Sequence, residues 1–148
     1  MRTITLADLP TLVSQELGVS DWVEIDQTRI DLFAAVTEDH QWIHVDVERA
    51  RREFGGTIAH GFLSLSLLSA MTAQIVDVRG VRSGLNTGFD RVRFTCPVAA
   101  GSRVRLRLTL TAAEPIPAGL ALKYGCVVEI KGGEKPALVA DWLTRLYG

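Results

Sequence analysis

The sequence predicts an α+β fold, and three observations carry that expectation. One strongly apolar helix spans about His60 to Ile75, four strand-like runs follow it, and turn residues separate those runs. With 148 residues the chain has the size of one ordinary domain, 1–148, long enough to bury a real core. The economical arrangement wraps a curved antiparallel sheet around the 60–75 helix and leaves the segment 27–53 as an overhang.

From the N-terminus, Thr5 to Glu16 reads as a short helix with apolar Leu9, Leu12, Val13 and Leu17, closed by Gly18. Asp21 to Asp26 alternates polar and apolar residues and reads as a first strand. Asp26 is placed to cap a helix from about Gln27, with Ile30, Phe33, Ala34 and Thr37 on one face. An irregular turn over Glu38 to Ile43 follows. Asp46 then caps a second short helix, Val47 to Glu53, which Gly55-Gly56 stops.

In the 60–75 helix, Phe62, Leu63, Leu65, Leu67, Leu68, Ala70, Met71 and Ile75 run nearly all the way round, which predicts burial on most sides. The later runs, Leu85 to Arg93, Arg103 to Thr111, Leu120 to Ile130 and Ala137 to Leu146, alternate or are rich in β-branched residues. Turns at Pro97–Gly101, Pro115–Gly119 and Gly132-Gly133 imply consecutive antiparallel strands with hairpin-length connections.

Composition narrows the partners. A hydrophobic content of 47% and a mean hydropathy of +0.19 leave apolar surface to hide in a second subunit or along a ligand tunnel. An edge strand in so apolar a sheet invites pairing with another copy, so a symmetric homodimer is expected. A formal charge of −1 and a pI near 6.3 give no electrostatic reason to expect nucleic acid or an anionic membrane. Arg79, Arg82, Arg91, Arg93, Arg103, Arg105 and Arg107 read best as solvent-facing strand positions, with a patch for a phosphorylated ligand as the alternative. Cys96 and Cys126 show neither metal-ligand spacing nor a disulfide framework, so buried free thiols in a reducing compartment are expected. No stretch is long and uncharged enough to span a bilayer, and the N-terminus has no sustained apolar leader; a cytoplasmic protein is the expectation.

The chemistry concentrates in Val36 to Asp46 and Phe54 to Gly61. Asp39 and His44 are an acid and a base five residues apart, able to share a water near neutral pH. On a regular helix that spacing separates them by about 140°, so the irregular turn is what lets both face one spot. Gly61, at the head of the apolar helix, offers a bare backbone N–H to an oxyanion. Together these suggest water addition or removal beside a carbonyl. Taken alone, Asp39 and His44 also read as an Asx-turn cap and a turn histidine.

Asp-His-Gln-Trp-Ile-His at Asp39–His44 and Phe-Gly-Gly-Thr-Ile-Ala-His-Gly at Phe54–Gly61 resemble the MaoC-like (R)-specific enoyl-CoA hydratase family, in its nodulation protein N-like branch. Weaker matches at Gly84-Leu85-Asn86, Arg91 to Phe94, Pro97-Val98 and Gly101-Ser102 extend the resemblance from about Val23 to the C-terminus. The resemblance implies a hot-dog fold and reversible hydration of trans-2-enoyl thioesters carried on CoA or acyl carrier protein. Asp39 and His44 would then activate the water, and Gly61 would hold the enolate oxygen. It also brings Asn86 near the substrate mouth, although a turn role suits it equally. Gln41 either orients the thioester or bonds backbone, and His60 reads as a structural hydrogen-bonder shaping the Gly61 turn.

This chemistry needs no cofactor and no metal. Two departures stand out: Glu38 where many members carry Gly, which adds a carboxylate beside the acid, and Gln41-Trp42 where the wider hydratase motif has Asn-Pro. Ser64, Ser66 and Ser69 lack a nucleophile's elbow or histidine partner. A hot-dog thioester hydrolase is the competing enzyme, but such proteins typically carry an acid on the central helix, and residues 60–75 contain none. A non-catalytic partner subunit is the third reading, against which the intact Asp39 and His44 speak.

Overall fold

The computed structural model describes all 148 residues. Three long strands, β6 (Ser102–Ile116), β7 (Gly119–Ile130) and β8 (Leu138–Tyr147), form an antiparallel meander at the centre of the sheet. Their alternation works as the sequence implies. Val104, Leu106, Leu108 and Leu110 point into the core with Leu122, Tyr124, Cys126, Val128, Leu138, Ala140 and Trp142. The intervening positions of β6 face outward. There the Arg105 guanidinium donates to Glu129 at 2.7 Å, and Arg107 donates to Glu129 at 3.2 Å and to Glu16 at 2.6 Å. Arg105 also lies 4.5 Å above the Trp22 ring. These two arginines are sheet-face ion pairs, as the favoured reading had them. Hydrogen bonds from Arg105 and then Arg107 hold the Glu129 carboxyl below the usual carboxylate range. That pairing therefore stabilises the sheet at neutral pH and is lost as pH falls through the lowered value.

β5 (Ser83–Phe94) departs from the expected run of hairpins. It pairs with β8, not with β6, giving the order β2-β6-β7-β8-β5, in which β2 is Gln15–Val19, with β3 (Val23–Ile25) also on β6. Residues 95–101 therefore carry the chain from one end of the sheet to its interior. β5 is an edge strand with exposed Leu85, Phe89 and Phe94, and its register shifts at Asn86/Gly88 and at Phe89/Arg91.

The first segment corrects the expectation of a helix over Thr5–Glu16. β1 (Arg2–Thr5) pairs in parallel with β4 (Val76–Arg79), a short 3₁₀ turn covers Leu6–Leu12, and β2 (Gln15–Val19) pairs with β6. The Asp8 carboxylate accepts from the Thr5 N–H at 2.9 Å, and Ser14 takes a positive φ of 69°, which ends the turn. Gly18 is no helix stop. At φ 153° it lies so close to the central helix that a Cβ would stand 2.9 Å from Ile75 Cγ2.

The overhang forms as its caps predict. Asp26 accepts from the Arg29 N–H and starts α1 (Gln27–Thr37), in which Ile30 and Ala34 are buried, Phe33 is half-buried and Thr37 is exposed. α2 (Trp42–Val45) is a single turn, so the irregular stretch is shorter than Glu38–Ile43. Asp46 accepts from the Arg49 N–H and starts α3 (Val47–Phe54), closed by Gly55 at φ 83°.

The central rod runs as α4 (Gly61–Ser66) and α5 (Leu68–Ile75) with a seam at Leu67, whose N–H still reaches the Leu63 carbonyl at 3.2 Å. Leu63, Ser64, Leu68, Met71 and Ile75 face the sheet, but Phe62 is 66% exposed and Ser66, Ser69, Ala70 and Ala73 are also open. Burial on most sides is therefore not achieved within one chain, because the sheet covers only one face of the rod. No helix is long and apolar enough to cross a membrane. Both cysteines are free; Cys126 is buried, whereas Cys96 is only half-buried.

Glu38, the C-cap of α1, takes the left-handed conformation at φ 61°, ψ 17°. A glycine takes that conformation freely, whereas a Cβ is strained there. Glu38→Gly is expected to raise unfolding stability by about 1 kcal/mol; an unmoved urea midpoint would reject the strain.

Candidate active site

Asp39 follows the left-handed Glu38, and the turn it opens is closed by backbone. The Gln41 carbonyl accepts from the His44 N–H at 2.9 Å, and Asp39 Oδ1 lies 3.4 Å from the Gln41 N–H. Gln41 thus serves the turn through its main chain, while its side chain is exposed and makes no hydrogen bond within the protein. α2 carries His44 inward to 7% exposure. Its Nδ1 sits 2.7 Å from the Ile58 carbonyl. A carbonyl only accepts, so Nδ1 carries the proton and the neutral ring keeps its lone pair on Nε2.

His60 caps α4 and is 3% exposed. Its Nε2–H donates to the Asp39 carbonyl at 3.0 Å, with Asp39 Oδ2 at 4.0 Å. This leaves His60 Nδ1 buried without a partner. The His60 ring stacks on His44 at 3.8 Å between centroids and 25° between planes, and Phe33 closes its other side at 5.0 Å. His60 thus bonds to the Asp39 peptide and stacks on the His44 ring, and its side chain makes no bond to the start of α4.

One ligand atom each from Asp39, His44 and His60 lies within 4.8 Å of the others, close enough for a single water to bridge two of them. The same trio is of the type that binds a metal. Yet His44 Nδ1 and His60 Nε2 are both committed as donors to carbonyls, so the free lone pairs belong to His44 Nε2, the Asp39 carboxylate and the buried His60 Nδ1, and the two ring lone pairs lie in stacked planes and do not converge on one point. That set suits a water better than a cation.

His44 and Gly61 line one cleft of about 330 Å³ with Phe62, Ser64, Phe94 and Cys96; Asp39 does not line it but has a carboxylate oxygen within 4.8 Å of a His44 ring nitrogen. Gly61 occupies the first position of α4, where the N–H has no intrahelical acceptor. A Cβ at Gly61 would meet Phe94 Cδ1 at 2.9 Å, so its lack of a side chain is what admits the ring. Asn86 is not brought to this cleft. It accepts from Trp142 Nε1 at 3.1 Å and lines a second cavity of about 320 Å³ at the opposite end of β5.

Two residues escaped the sequence reading. Gln27 donates to the His44 carbonyl at 2.8 Å and to Asp31, and accepts from the Thr57 hydroxyl, so it ties α1, α2 and the 57–59 segment together. Its place in the first turn of a capped helix carries no hint of this. Ile58 acts through its carbonyl, which no residue type reveals.

The family model of the MaoC like domain matches residues 8–118 of this chain. The chain belongs to the MaoC-like dehydratase family. Nodulation protein N of Rhizobium leguminosarum bv. viciae is 53% identical over 97% of the chain and 92% of that protein. The 3-hydroxyacyl-thioester dehydratase Z of Mycobacterium tuberculosis (strain ATCC 25618 / H37Rv) is 45% identical over 98% of both chains. Among solved structures, the unliganded R-hydratase PhaJ1 of Pseudomonas aeruginosa superposes with a TM-score of 0.72 at 28% identity, covering 89% of this chain and 79% of that one. The α+β hot-dog architecture implied by the motifs is therefore the architecture present.

The hydrogen bond to Ile58 predicts one tautomer for neutral His44 in this MaoC-like protein. Nitrogen-15 correlation spectra are expected to show its proton on Nδ1; a ring protonated at Nε2 would remove the proposed lone pair from the cleft.

Proposed function

We propose that this protein adds water reversibly across the double bond of trans-2-enoyl thioesters, giving (R)-3-hydroxyacyl thioesters, and in reverse dehydrates them. The observation that carries the proposal is the meeting of Asp39 with His44, whose Nδ1 is held by the Ile58 carbonyl and whose ring lines the cleft with Gly61. The similarity to a protein named 3-hydroxyacyl-thioester dehydratase, along nearly the whole length of both chains, supports the reaction class.

In the proposed hydration, a water hydrogen-bonds to the Asp39 carboxylate and to His44 Nε2. Its oxygen bonds to the β-carbon while His44 takes one of its protons. The π electrons move toward the thioester, and the carbonyl oxygen gains enolate charge. The Gly61 N–H is proposed to donate to that oxygen. His44 then returns its proton to the α-carbon, which restores the carbonyl and regenerates the base. Asp39 orients the water and balances the charge on His44 while it is protonated. No step calls for a cofactor, and the thioester is carried by CoA or acyl carrier protein.

A homodimer follows from the same features. The central rod leaves one face open and β5 is an edge strand with exposed apolar residues, and pairing β5 with its own copy would cover that edge. Two free cysteines suit a reducing, cytoplasmic setting.

Crotonyl-CoA is expected to lose its enoyl absorbance without releasing thiol, and chiral analysis of the product to give the (R) isomer. Asp39→Asn and His44→Ala should each lower kcat by about 10²–10⁴-fold. Thiol release would instead mark a hydrolase, and silence at every chain length a non-catalytic subunit. Sedimentation is expected to give about twice the 16.2 kDa chain mass; a monomer would refute the β5 pairing.

A further inference from the structure

The cavity at the Asn86 end of β5 has no part in the chemistry just described, and its lining is unusual for a hydrocarbon pocket. Val76, Val78 and Leu85 make it mostly apolar. Yet the hydroxyls of Thr72 and Thr144, which line it, are buried with no hydrogen-bond partner. Thr144 lies beside the Tyr124 phenol without reaching hydrogen-bond geometry, and burial pushes that phenol up to about 12, so it stays a neutral donor. Asn86 is held by Trp142 through its oxygen, and its amide N–H groups make no bond within the chain. Asn86 is exposed and its amide is free to meet solvent or a ligand, whereas the two buried hydroxyls are costly unless something else satisfies them.

Position connects this cavity to the cleft. Residues 86 and 94 of β5 are about 26 Å apart along an extended strand, too far for the two cavities of one chain to share a medium-length acyl group. Antiparallel self-pairing of β5 about its middle reverses that separation. In the proposed dimer it would set the Asn86 end of one protomer beside the Phe94 end of the other, the end that lines the His44–Gly61 cleft.

We propose that this cavity receives the distal part of the acyl group, and that the Thr72 and Thr144 hydroxyls select chains carrying an oxygen function there over plain alkyl chains. A hydrocarbon tail would fill the space and strand both hydroxyls, whereas a tail bearing a hydroxyl or keto group pairs with them and with the Asn86 amide. The inference rests on the thioester reading for what enters the cleft.

Saturated acyl-CoAs bind without reacting, so their binding tests this selection separately from hydration. Calorimetric titration of the intact protein would compare hexanoyl-, octanoyl- and decanoyl-CoA, each against its ω-hydroxy counterpart. At one chain length or more the hydroxylated ligand is expected to bind about tenfold tighter. Thr144→Val and Thr72→Val, which remove one hydroxyl each at nearly constant shape, should bring that ratio to within about twofold of unity. Equal binding at every length, or a preference that survives both substitutions, overturns the selection whether or not crotonyl-CoA is hydrated. Failure of crotonyl-CoA hydration with the preference intact would instead strike the reaction and leave the selection standing.

Discussion

The pairing of His44 with residue 58 is the constraint on which the site depends. His44 Nδ1 donates to the Ile58 carbonyl at 2.7 Å, while the Ile58 N–H donates to the Ile43 carbonyl at 3.1 Å. Residue 58 thereby holds α2 from both sides of its peptide. The next residue, Ala59, bonds to Val98 at 2.8 Å, and Ala100 bonds back to Thr57 at 3.0 Å. The one-turn helix bearing the base is thus tied through three main-chain residues to the loop below β5. A helix of four residues has almost no stability of its own. Its geometry is lent to it by this lattice of backbone bonds, together with Gln27 from α1.

How far the sequence discloses such an arrangement depends on the range of the interaction. Asp26 and Asp46 cap their helices through bonds to the third residue onward, and both helices begin where those residues imply. Asp39, His44 and Gly61 are legible because they sit in short motifs of telling residue types. The Thr5–Glu16 segment misleads because Leu9, Leu12 and Leu17 satisfy a helical period while also being buried in a 3₁₀ turn followed by a strand. What decides it is distant: pairing of β2 with β6, and a close approach to Ile75 that Gly18 alone permits. The order β8-β5 is equally remote from any local cue, since neighbours in sequence are not obliged to be neighbours in the sheet. Asn86 illustrates the same limit at the site, being near the chemistry in the motif and far from it in the single chain.

The apolarity of the central rod answers two demands at once. Leu63, Leu68, Met71 and Ile75 complete the core under the sheet, and this half would be needed in any wrapped-helix fold. Phe62, Ala70 and Ala73 lie on the other face, with Phe62 set edge-on to Phe94 at 6.0 Å. Phe94 in turn rests against Gly61, so the start of the rod, the end of β5 and the mouth of the cleft are one packed unit. Movement of the β5 end would therefore be felt at the N–H that heads the rod.

The irregularities along the sheet margins bear on whether such a protein stays soluble at high concentration. β5 is the only long open edge, and its two register shifts make it a poor template for indefinite stacking, though one copy related by a two-fold axis can still match it. The opposite margin is formed by β2, five residues broken at Gly18, and by β3, only three residues long. Neither offers a straight ladder of free backbone groups to an incoming strand. Once β5 is occupied, an incoming strand finds only the edges of strands three to five residues long, β1 to β4, which works against fibril formation.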